Sequence, residues 1–223
     1  MSHTVYLALG TNLGDRMVNL AHALVLLTPH ATLRNWSRVY ETPPWGYLEQ
    51  PAFFNMVVEA ETDLEPVGLL DHLKLLEEKI GRGKSVRYGP RLIDLDILFY
   101  DEIEMRTSRL EIPHPRIAER AFVLIPLAEL APTRKLVPGG QTIADLLARI
   151  DQSGISPVTV RENDSPAELA VMFQKVPEAL DRFLGLPPSH QREYLQHILE
   201  AKKPATRRKR FDWTVNQLSI KKD

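Results

Sequence analysis

The sequence predicts an α+β protein in which an antiparallel sheet with packed helices is followed by a small all-α C-terminal module. Short apolar runs and amphipathic stretches alternate in the order strand, helix, strand, strand, helix, strand over residues 5–99. Charge also divides the chain, because residues 1–156 carry 16 Lys and Arg against 20 Asp and Glu, whereas residues 157–223 carry 12 against 9. These net charges of −4 and +3 favour two domains, 1–156 and 157–223.

The elements of the first part follow from hydrophobic periodicity and from residues that begin and end helices. Asp15 can cap the first helix, Pro66 stands at a favoured place near the start of the second, and Gly81 can end it. The predicted strands are 5–9, 32–40, 52–60 and 93–99, and the predicted helices are 16–27 and 66–80. This βαββαβ order is typical of the ferredoxin-like fold, with the helices on one face of the sheet.

Extra elements are predicted after this core. We expect short edge strands near 103–104 and 109–112, an apolar helix at 122–130 interrupted by Pro126, and a capped helix at 142–150. In the C-terminal part, Ser165 and Glu168 fit a capping box. Four helices are predicted there, separated by prolines, at 166–174, 177–184, 189–201 and 204–218.

Length and composition exclude several classes of protein. A chain of 223 residues can bury a full core, and an apolar content of 43% is ordinary for a soluble globular protein. The absence of cysteine excludes disulfides, thiolate metal sites and cysteine nucleophiles. No apolar run approaches the ~20 residues of a membrane span, and the N-terminus has no signal-peptide pattern. We therefore expect a cytoplasmic protein with no membrane contact.

Two carboxylates in the last strand of the predicted core are the strongest candidates for a functional site. Asp94 and Asp96 are two residues apart, so both project from one face of the strand, while Leu95 projects from the other. Neighbouring carboxylates repel, and burying them is costly unless a cation neutralises them. A Mg²⁺ ion suits them because it takes oxygen ligands; the alternative is an ion pair with Arg87 or Arg91.

Two loops with unusual composition belong to the same region of the predicted fold. The loop at 82–91 supplies four cations and two glycines, and it leads directly into the carboxylate pair, which suggests a polyphosphate ligand. The loop at 41–51 contains three prolines, which make it stiff enough to form a wall for a flat ligand. The alternatives are a solvated basic loop and an ordinary long hairpin connection.

The chain resembles the 6-hydroxymethyl-7,8-dihydropterin pyrophosphokinase family over about residues 4–155. The resemblance rests on motifs in a fixed order: Tyr6–Asp15, Tyr40–Pro44, Phe53–Asn55, Glu77 with Gly81–Arg82, Arg87–Tyr100, and Ile112–Arg116 with Arg120–Phe122. The most specific is Gly-Pro-Arg-x-x-Asp-Leu-Asp-Ile at 89–97. The resemblance implies a ferredoxin-like fold and transfer of the β,γ-pyrophosphate of ATP to the pterin hydroxymethyl group, with release of AMP, in folate biosynthesis.

The resemblance also implies a site with ATP and two Mg²⁺ ions. Asp94 and Asp96 would hold the metals, and Arg82 and Arg91 would act with them as catalytic residues by neutralising charge on the phosphates. The positions that match ATP-binding residues are Glu77, Lys84, Arg87, Tyr88, Arg91, Ile97, Arg109, His114 and Arg120. Lys84 departs from the family pattern, because many relatives have Arg there.

A pterin site beside the metals is implied in the same way. Phe53 and Phe122 would stack on the ring, and Asn55 would hydrogen-bond to its amide-like edge. The matching positions are Thr42, Pro43, Pro44, Trp45, Phe53, Asn55, Asp94 and Phe122. Residue type alone favours core packing for the phenylalanines, whereas an amide within an apolar strand favours a ligand or a hydrogen-bond network.

The C-terminal part is similar to the helical module of the bacteriocin-protection (YdeI/OmpD-associated) family, through residues between Leu186 and Val215. Its basic cluster, Arg207–Arg210, is interpreted as a solvated helix face, as a site for an acidic protein partner or as a surface that packs on the acidic first domain, and the net charge does not favour nucleic acid. The sequence leaves two alternatives to the pyrophosphokinase open for the whole chain. One is an Asp-x-Asp metal-dependent phosphoryl or nucleotidyl transferase with another acceptor, and the other is a non-catalytic interaction module.

Overall fold

The computed structural model describes residues 2–81, 89–158 and 165–220. The strands in these ranges are β1 (His3–Thr11), β2 (Ala31–Trp36), β3 (Tyr40–Thr42), β4 (Phe53–Thr62), β5 (Asp94–Tyr100), β6 (Met105–Arg106), β7 (Glu111–Ile112) and β8 (Ser156–Pro157). The main sheet is antiparallel, with the order β5-β1-β4-β3-β8, and β2 pairs with the C-terminal part of β4. β6 and β7 form a separate small sheet.

The helices in the described ranges agree closely with the predicted ones, except that the helix predicted at 142–150 ends at Leu147. They are α1 (Arg16–Leu27), α2 (Pro66–Ile80), α3 (Ala121–Leu130), α4 (Ile143–Leu147), α5 (Pro166–Gln174), α6 (Pro177–Leu184), α7 (Pro188–Leu199) and α8 (Pro204–Ile220), with a short 3₁₀ helix at Ile117–Glu119. Asp15 caps α1 as predicted, since its side chain accepts a hydrogen bond from Val18 N at 3.1 Å. Gly81 ends α2 in the left-handed conformation, with φ of 110°.

The predicted strand at 32–40 is wrong, because the structure divides it into β2 and β3. Ser37 separates the two strands: its N donates to Val57 O at 2.9 Å, and its Oγ accepts from Val57 N at 3.0 Å. The pairing of β2 with β4 also shifts register between Leu33 and Asn35. A side chain that takes the place of a backbone group in the hydrogen bonds between strands does not change the pattern of apolar residues. Hydrophobic periodicity therefore could not predict this division.

Two predicted helix details are also corrected. Pro126 does not interrupt α3, which continues through it to Leu130. Ser165 caps α5, but its Oγ accepts from Ala167 N at 3.3 Å rather than from the N of Glu168, which donates to Ser165 O at 3.1 Å. The capping box predicted at this helix start therefore does not form.

Both faces of the main sheet are covered by helices. α1 and α2 bury Leu24 and Leu73 on one face, together with Leu95 of β5. α3 and α4 bury Leu124 and Ile143 on the other face. The ferredoxin-like α+β core with further strands and helices is thus confirmed, and helices do not stay on one face as the simplest form of that fold implies.

The C-terminal helices form a third layer on the outer side of α1. Ten of the twelve residues of α1 are buried, because one side of the helix packs on the sheet and α2 while the other packs on α5 and α7. Nε2 of His22 in α1 lies 2.7 Å from Oε1 of Gln191 in α7 across this interface. Within the described ranges, none of the helices combines the length and apolar character needed to cross a bilayer.

Candidate active site

A cleft of about 380 Å³ opens at the edge of the main sheet. It is formed by β1, β4, β5, the end of β3 with the loop after it, the N-terminal end of α3 and one residue of α2. The segments before β5 and after β7 contribute one residue each. The residues that line it are Ala8, Leu9, Gly10, Thr42, Pro43, Trp45, Phe53, Asn55, Met56, Lys74, Arg91, Asp94, Asp96, His114, Arg120, Phe122 and Val123. One end is rich in charge and the other in aromatic and amide groups.

The charged end of the cleft depends on the alternation of side chains between the two faces of β5. Leu95 is buried at 2% exposure, whereas the flanking side chains of Asp94 and Asp96 are 28% and 29% exposed to the cleft. Nη1 of Arg91 lies 2.8 Å from Oδ1 of Asp94, and Nη1 of Arg120 donates to Oδ2 of Asp96 at 3.2 Å. The ion pair with Arg91 that was the alternative to a metal is therefore present.

Arg91 is held in place by the turn that follows β1. Oδ1 of Asn12 accepts from Arg91 N at 2.8 Å, and Asn12 N donates to Arg91 O at 3.1 Å. The Asn12 amide also donates to Gln50 Oε1 and Pro51 O, each at 3.0 Å. Asn12 thus joins the turn, the stiff loop and the start of the carboxylate strand, a role beyond the helix-entry turn that the sequence indicates.

His114 adds a neutral donor beside the carboxylates. Burial lowers the pKa of His114 below its ordinary value, although the nearby Asp96 carboxylate acts to raise it. Nδ1 of His114 accepts a hydrogen bond from Arg116 N at 3.2 Å, which assigns the proton of the neutral ring to Nε2. Nε2 lies 3.9 Å from Oδ2 of Asp96, so this N–H is directed into the charged end of the cleft.

The amide of Asn55 defines the opposite end. Asn55 is 8% exposed, and its Nδ2 donates to Oγ1 of Thr42 at 2.7 Å. A Cβ placed on Gly10, which pairs with Asn55 across β1 and β4, would lie 2.7 Å from Oδ1 of Asn55. Glycine at this position therefore leaves the space that the amide occupies.

Aromatic rings complete this end of the cleft. The Trp45 and Phe122 rings meet edge to face at 6.4 Å, and the Arg116 guanidinium lies 4.4 Å from the Trp45 ring centre. Phe53 begins β4 and also lines the cleft. The two predicted stacking residues, Phe53 and Phe122, thus share one cleft and are partly buried, and Phe122 also packs against the core cluster of α3 and α4.

The carboxylates could hold a metal ion only together with further ligands. No cluster of three or more His, Cys, Asp or Glu side chains with metal-binding geometry occurs among residues 2–81, 89–158 and 165–220. Mg²⁺ nevertheless commonly binds through one or two carboxylates while waters and substrate phosphates complete its shell. The donor set of Asp94 and Asp96 fits that kind of site, with partly exposed oxygens beside a space large enough for a ligand.

Comparison with known proteins assigns a family to this fold and cleft. Residues 6–132 match the family model described as 7,8-dihydro-6-hydroxymethylpterin-pyrophosphokinase (HPPK), more than half of the chain. The chain belongs to the HPPK family. A relative from Methylorubrum extorquens, named 2-amino-4-hydroxy-6-hydroxymethyldihydropteridine pyrophosphokinase, is 45% identical over 155 residues, or 69% of this chain and 97% of the relative. A Bacillus subtilis protein of the same name is 47% identical over 132 residues, or 58% and 79%.

Solved HPPK structures share the fold at low identity. A wild-type Plasmodium falciparum HPPK-DHPS structure with pteroate has a TM-score of 0.54 and 20% identity, covering 67% of this chain and 42% of that chain. Another HPPK-DHPS structure, in complex with substrates, has a TM-score of 0.56 and 17% identity, covering 72% and 47%. This chain therefore spans less than half the length of these solved chains.

The tail matches a different family. Residues 163–219 match the model described as bacteriocin-protection, YdeI or OmpD-associated. Both resemblances identified in the sequence are thus confirmed, and the HPPK match ends before the tail begins.

Most of the residues that the HPPK resemblance assigns to a site come together in the cleft. Eleven line it: Thr42, Pro43, Trp45, Phe53, Asn55, Arg91, Asp94, Asp96, His114, Arg120 and Phe122. Four are placed outside its lining: Pro44, Glu77, Ile97 and Arg109. The other four, Arg82, Lys84, Arg87 and Tyr88, lie outside the described residues. The ligand contacts assigned to all nineteen stay predictions.

Three of the residues outside the lining have other surroundings in the structure. Ile97 is 4% exposed and belongs to the core cluster beneath α1 and α2. Arg109 pairs with Asp71 on the surface of α2. Glu77 is 1% exposed, and its Oε1 accepts from Leu95 N at 2.8 Å and lies 3.0 Å from Nζ of Lys74.

Lys74 lines the cleft although the sequence did not indicate it. It lies three residues before Glu77 on α2, so the two side chains share one helix face. That spacing is the signal that could have identified it. Gly10 and Met56 were also not predicted; Gly10 appeared as part of a turn, and Met56 as an ordinary strand residue.

Proposed function

We propose that this chain transfers the β,γ-pyrophosphate of ATP to 6-hydroxymethyl-7,8-dihydropterin, giving the pterin diphosphate and AMP, a step of folate biosynthesis. One observation carries the proposal: the carboxylates of Asp94 and Asp96 share a single cleft with the buried amide of Asn55 and two phenylalanine rings. Magnesium-bound polyphosphate suits the first end and a flat, amide-edged heterocycle suits the second. The names of the HPPK relatives support the same substrate.

The pterin end can recognise a ring by shape and by hydrogen bonds. Phe53 and Phe122 offer aromatic faces, and the Asn55 amide can both donate and accept, as the amide-like edge of a pterin requires. The hydrogen bond from Asn55 Nδ2 to Thr42 fixes the direction of that amide before a ligand arrives. Such preorganisation lowers the conformational entropy lost on binding.

In the proposed reaction, the hydroxymethyl oxygen of the pterin attacks the β-phosphorus of ATP. A new O–P bond forms while the bond from the β-phosphorus to the α,β-bridging oxygen breaks, and AMP leaves with that electron pair. The hydroxyl proton passes to solvent. Positioning and electrostatic stabilisation supply most of the catalysis in phosphoryl transfer, because little covalent chemistry is left for the protein.

Asp94 and Asp96 would hold two Mg²⁺ ions together with the phosphates of ATP. When bound, the ions supply Lewis-acid stabilisation of the phosphates and lower the pKa of the attacking hydroxyl. Arg91 and Arg120, which contact the carboxylates at 2.8 and 3.2 Å, would then offer their guanidinium groups to phosphate oxygens. Neutral His114 adds an N–H donor without adding charge.

The product distribution tests the proposal. The full chain is incubated with ATP, Mg²⁺ and the pterin alcohol, and the nucleotide product is identified by chromatography. We expect AMP in amounts equal to pterin diphosphate, and Asp96→Asn should lose at least about 1000-fold in kcat, because it removes an anionic ligand of the Mg²⁺ ions that stabilise the reacting phosphates. Asp63→Asn, an exposed carboxylate outside the cleft, is the matched control and should keep full activity. Formation of ADP, or AMP formation independent of the pterin, would reject the proposal.

The proposal also concerns the division of the chain into two parts, its cellular location and a protein partner. We assign the activity to residues 1–156 and retain 157–223 as a helical module that this activity does not require. We place the protein in the cytoplasm. The exposed cations of the module, Lys202, Lys203, Arg208 and Lys209, would suit an acidic protein surface. Reversing two of these charges, in Arg208→Glu with Lys209→Glu, should leave turnover unchanged, and a loss of turnover would contradict this division.

A further inference from the structure

Two side chains of α2 contact the peptide groups between the candidate metal ligands. Glu77 Oε1 accepts a hydrogen bond from Leu95 N at 2.8 Å, and Lys74 Nζ donates to Leu95 O at 3.3 Å. The two side chains also pair with each other at 3.0 Å. Leu95 therefore has both backbone groups bound by one ion pair, and its neighbours on either side are Asp94 and Asp96.

The position of this pair in the sheet explains why it is needed. In the part of the sheet that the structure describes, β5 is an edge strand and pairs with β1. That pairing shifts register between Tyr6 and Leu7, just beyond the partner of Ile97. The outward N–H and C=O of Leu95 would face solvent or an unpaired edge without the groups from α2. The ion pair thus supplies hydrogen bonds where a further strand would otherwise be required.

Because Glu77 is buried, its carboxylate depends on its contacts with Leu95 and Lys74. Glu77 is 1% exposed, and an ionised carboxylate is costly to bury unless hydrogen bonds and an opposite charge compensate it. The Leu95 amide and the Lys74 ammonium provide that compensation. Lys74 is at the same time part of the cleft lining, with its side chain 43% exposed, so the pair reaches from the core to the site.

We propose that Glu77 and Lys74 are positioning residues that fix the peptide of Leu95 and thereby hold the Asp94 and Asp96 carboxylates in the arrangement that binds a divalent cation. This rests on the proposed function insofar as the cation is the Mg²⁺ of that reaction. Groups behind a metal ligand commonly change metal affinity or activity by 10–100-fold when they are removed.

A metal-binding measurement tests the pair independently of turnover. Mn²⁺ replaces Mg²⁺, and its binding to the full chain is followed by the loss of the free-ion electron paramagnetic resonance signal with a non-hydrolysable ATP analogue present, measured against a protein-free sample with the same Mn²⁺ and analogue. Glu77→Met removes the acceptor for Leu95 N and should weaken Mn²⁺ binding by at least about tenfold. Glu77→Gln keeps a neutral acceptor and should lose less than Glu77→Met. Glu78→Met, an exposed neighbour on α2, is the matched control and should bind as the unmodified chain does.

Several outcomes are decisive. Unchanged Mn²⁺ affinity in a folded Glu77→Met variant overturns the proposal, as does equal loss in Glu77→Met and Glu77→Gln. If Glu77→Met does not fold, Lys74→Met decides, because it removes the partner of Leu95 O from a side chain that is 43% exposed. We expect it to weaken Mn²⁺ binding several-fold, and unchanged affinity again overturns the proposal. A chain that binds Mn²⁺ as described but forms no AMP would reject the proposed function and leave the positioning role supported.

Discussion

Replacing Gln191 by leucine should destabilise the whole chain, including the sheet that contains the cleft. Gln191 is 3% exposed, and its Nε2 donates to the carbonyl oxygens of Phe183 and Leu184 at 2.9 and 3.2 Å. Its Oε1 therefore accepts from Nε2 of His22, which is neutral because burial lowers its pKa. The substitution leaves the donor of His22 and the carbonyl group of Leu184 without these partners in a buried interface, whereas Phe183 O loses one of its donors and keeps the hydrogen bond from Leu186 N at 3.1 Å.

The expected cost follows from these three hydrogen bonds. A buried polar group left without a partner costs about 1–3 kcal/mol, so we expect Gln191→Leu to lower the free energy of unfolding by about 2–4 kcal/mol. For a chain of this length that corresponds to a decrease in Tm of about 5–12 °C. The double variant His22→Leu with Gln191→Leu should lose less than the sum of the single variants, since it removes both partners together. Gln196→Leu, on the exposed side of the same helix, is the control and should stay within about 0.5 kcal/mol.

The assay is urea unfolding followed at tryptophans in different layers. Trp36 lies in β2, whereas Trp213 lies in α8, so variants that keep one of these indoles report on the sheet or on the C-terminal helices. Because α1 is buried between the two layers, both probes should report one transition, and Gln191→Leu should shift both equally. A shift confined to the Trp213 transition would refute the reasoning and identify the tail as an independent folding unit.

Three further predictions concern a close contact, a helix cap and acid stability. Gly10→Ala should raise the KM for the pterin about tenfold and lower Tm by about 2–4 °C, because the new Cβ displaces the Asn55 amide, whose hydrogen bonds to the pterin and to Thr42 are each worth about 1 kcal/mol; an unchanged KM would contradict it. Asp15→Ala should cost about 1 kcal/mol in urea unfolding, whereas Asp15→Asn should keep the cap, and equal losses would reject the capping role. Burial and the neighbouring His30 lower the pKa of His72 from 6.5 to about 4. The unfolded chain therefore binds this proton first as pH falls, and the free energy of unfolding should decrease between pH 6.5 and 4 by at most about 3 kcal/mol. His72→Phe should flatten this dependence, and parallel pH profiles would count against it.

Much of the core could be predicted because its local signals agree with its packing. Residues 16–27 and 66–80 are helices with the predicted bounds, since apolar periodicity, a cap at Asp15 and a terminating Gly81 all act within a few residues. The orientation of Asp94 and Asp96 was also predictable, because strand alternation is a local property. The division at Ser37 was not, since it depends on a hydrogen bond to a strand twenty residues away.

The candidate site was predictable to the extent that its motifs are local. The resemblance brought Thr42, Asn55 and Arg120 into one proposal, and the structure places them in one cleft. It gave no account of Lys74 or Asn12, because their contacts are with backbone groups of Leu95 and Arg91 that only the packed fold brings near. A contact with a backbone group does not depend on the residue type at that position, so the sequence does not reveal it.

The surface on which the tail docks could not be predicted, although packing on the acidic first domain is one of the alternatives that the charges allow. The prolines that separate the four helices of the tail allow those helices to be predicted, but they do not specify which surface the helices cover. The relevant signal was in α1, whose sequence is apolar on more than one side, as expected for a helix buried between two layers. His22 and Gln191, 169 residues apart, form the polar contact of that interface and could not be paired from the sequence.

The central claim is that both terminal phosphates of ATP move together to the pterin. The most direct measurement uses the full chain with Mg²⁺, the pterin alcohol and ATP labelled separately at the α-, β- and γ-phosphates. Attack at the β-phosphorus predicts equal transfer of β- and γ-label to the pterin product, with all α-label recovered in AMP. Transfer of γ-label without β-label, with ADP as the nucleotide product, would contradict the account.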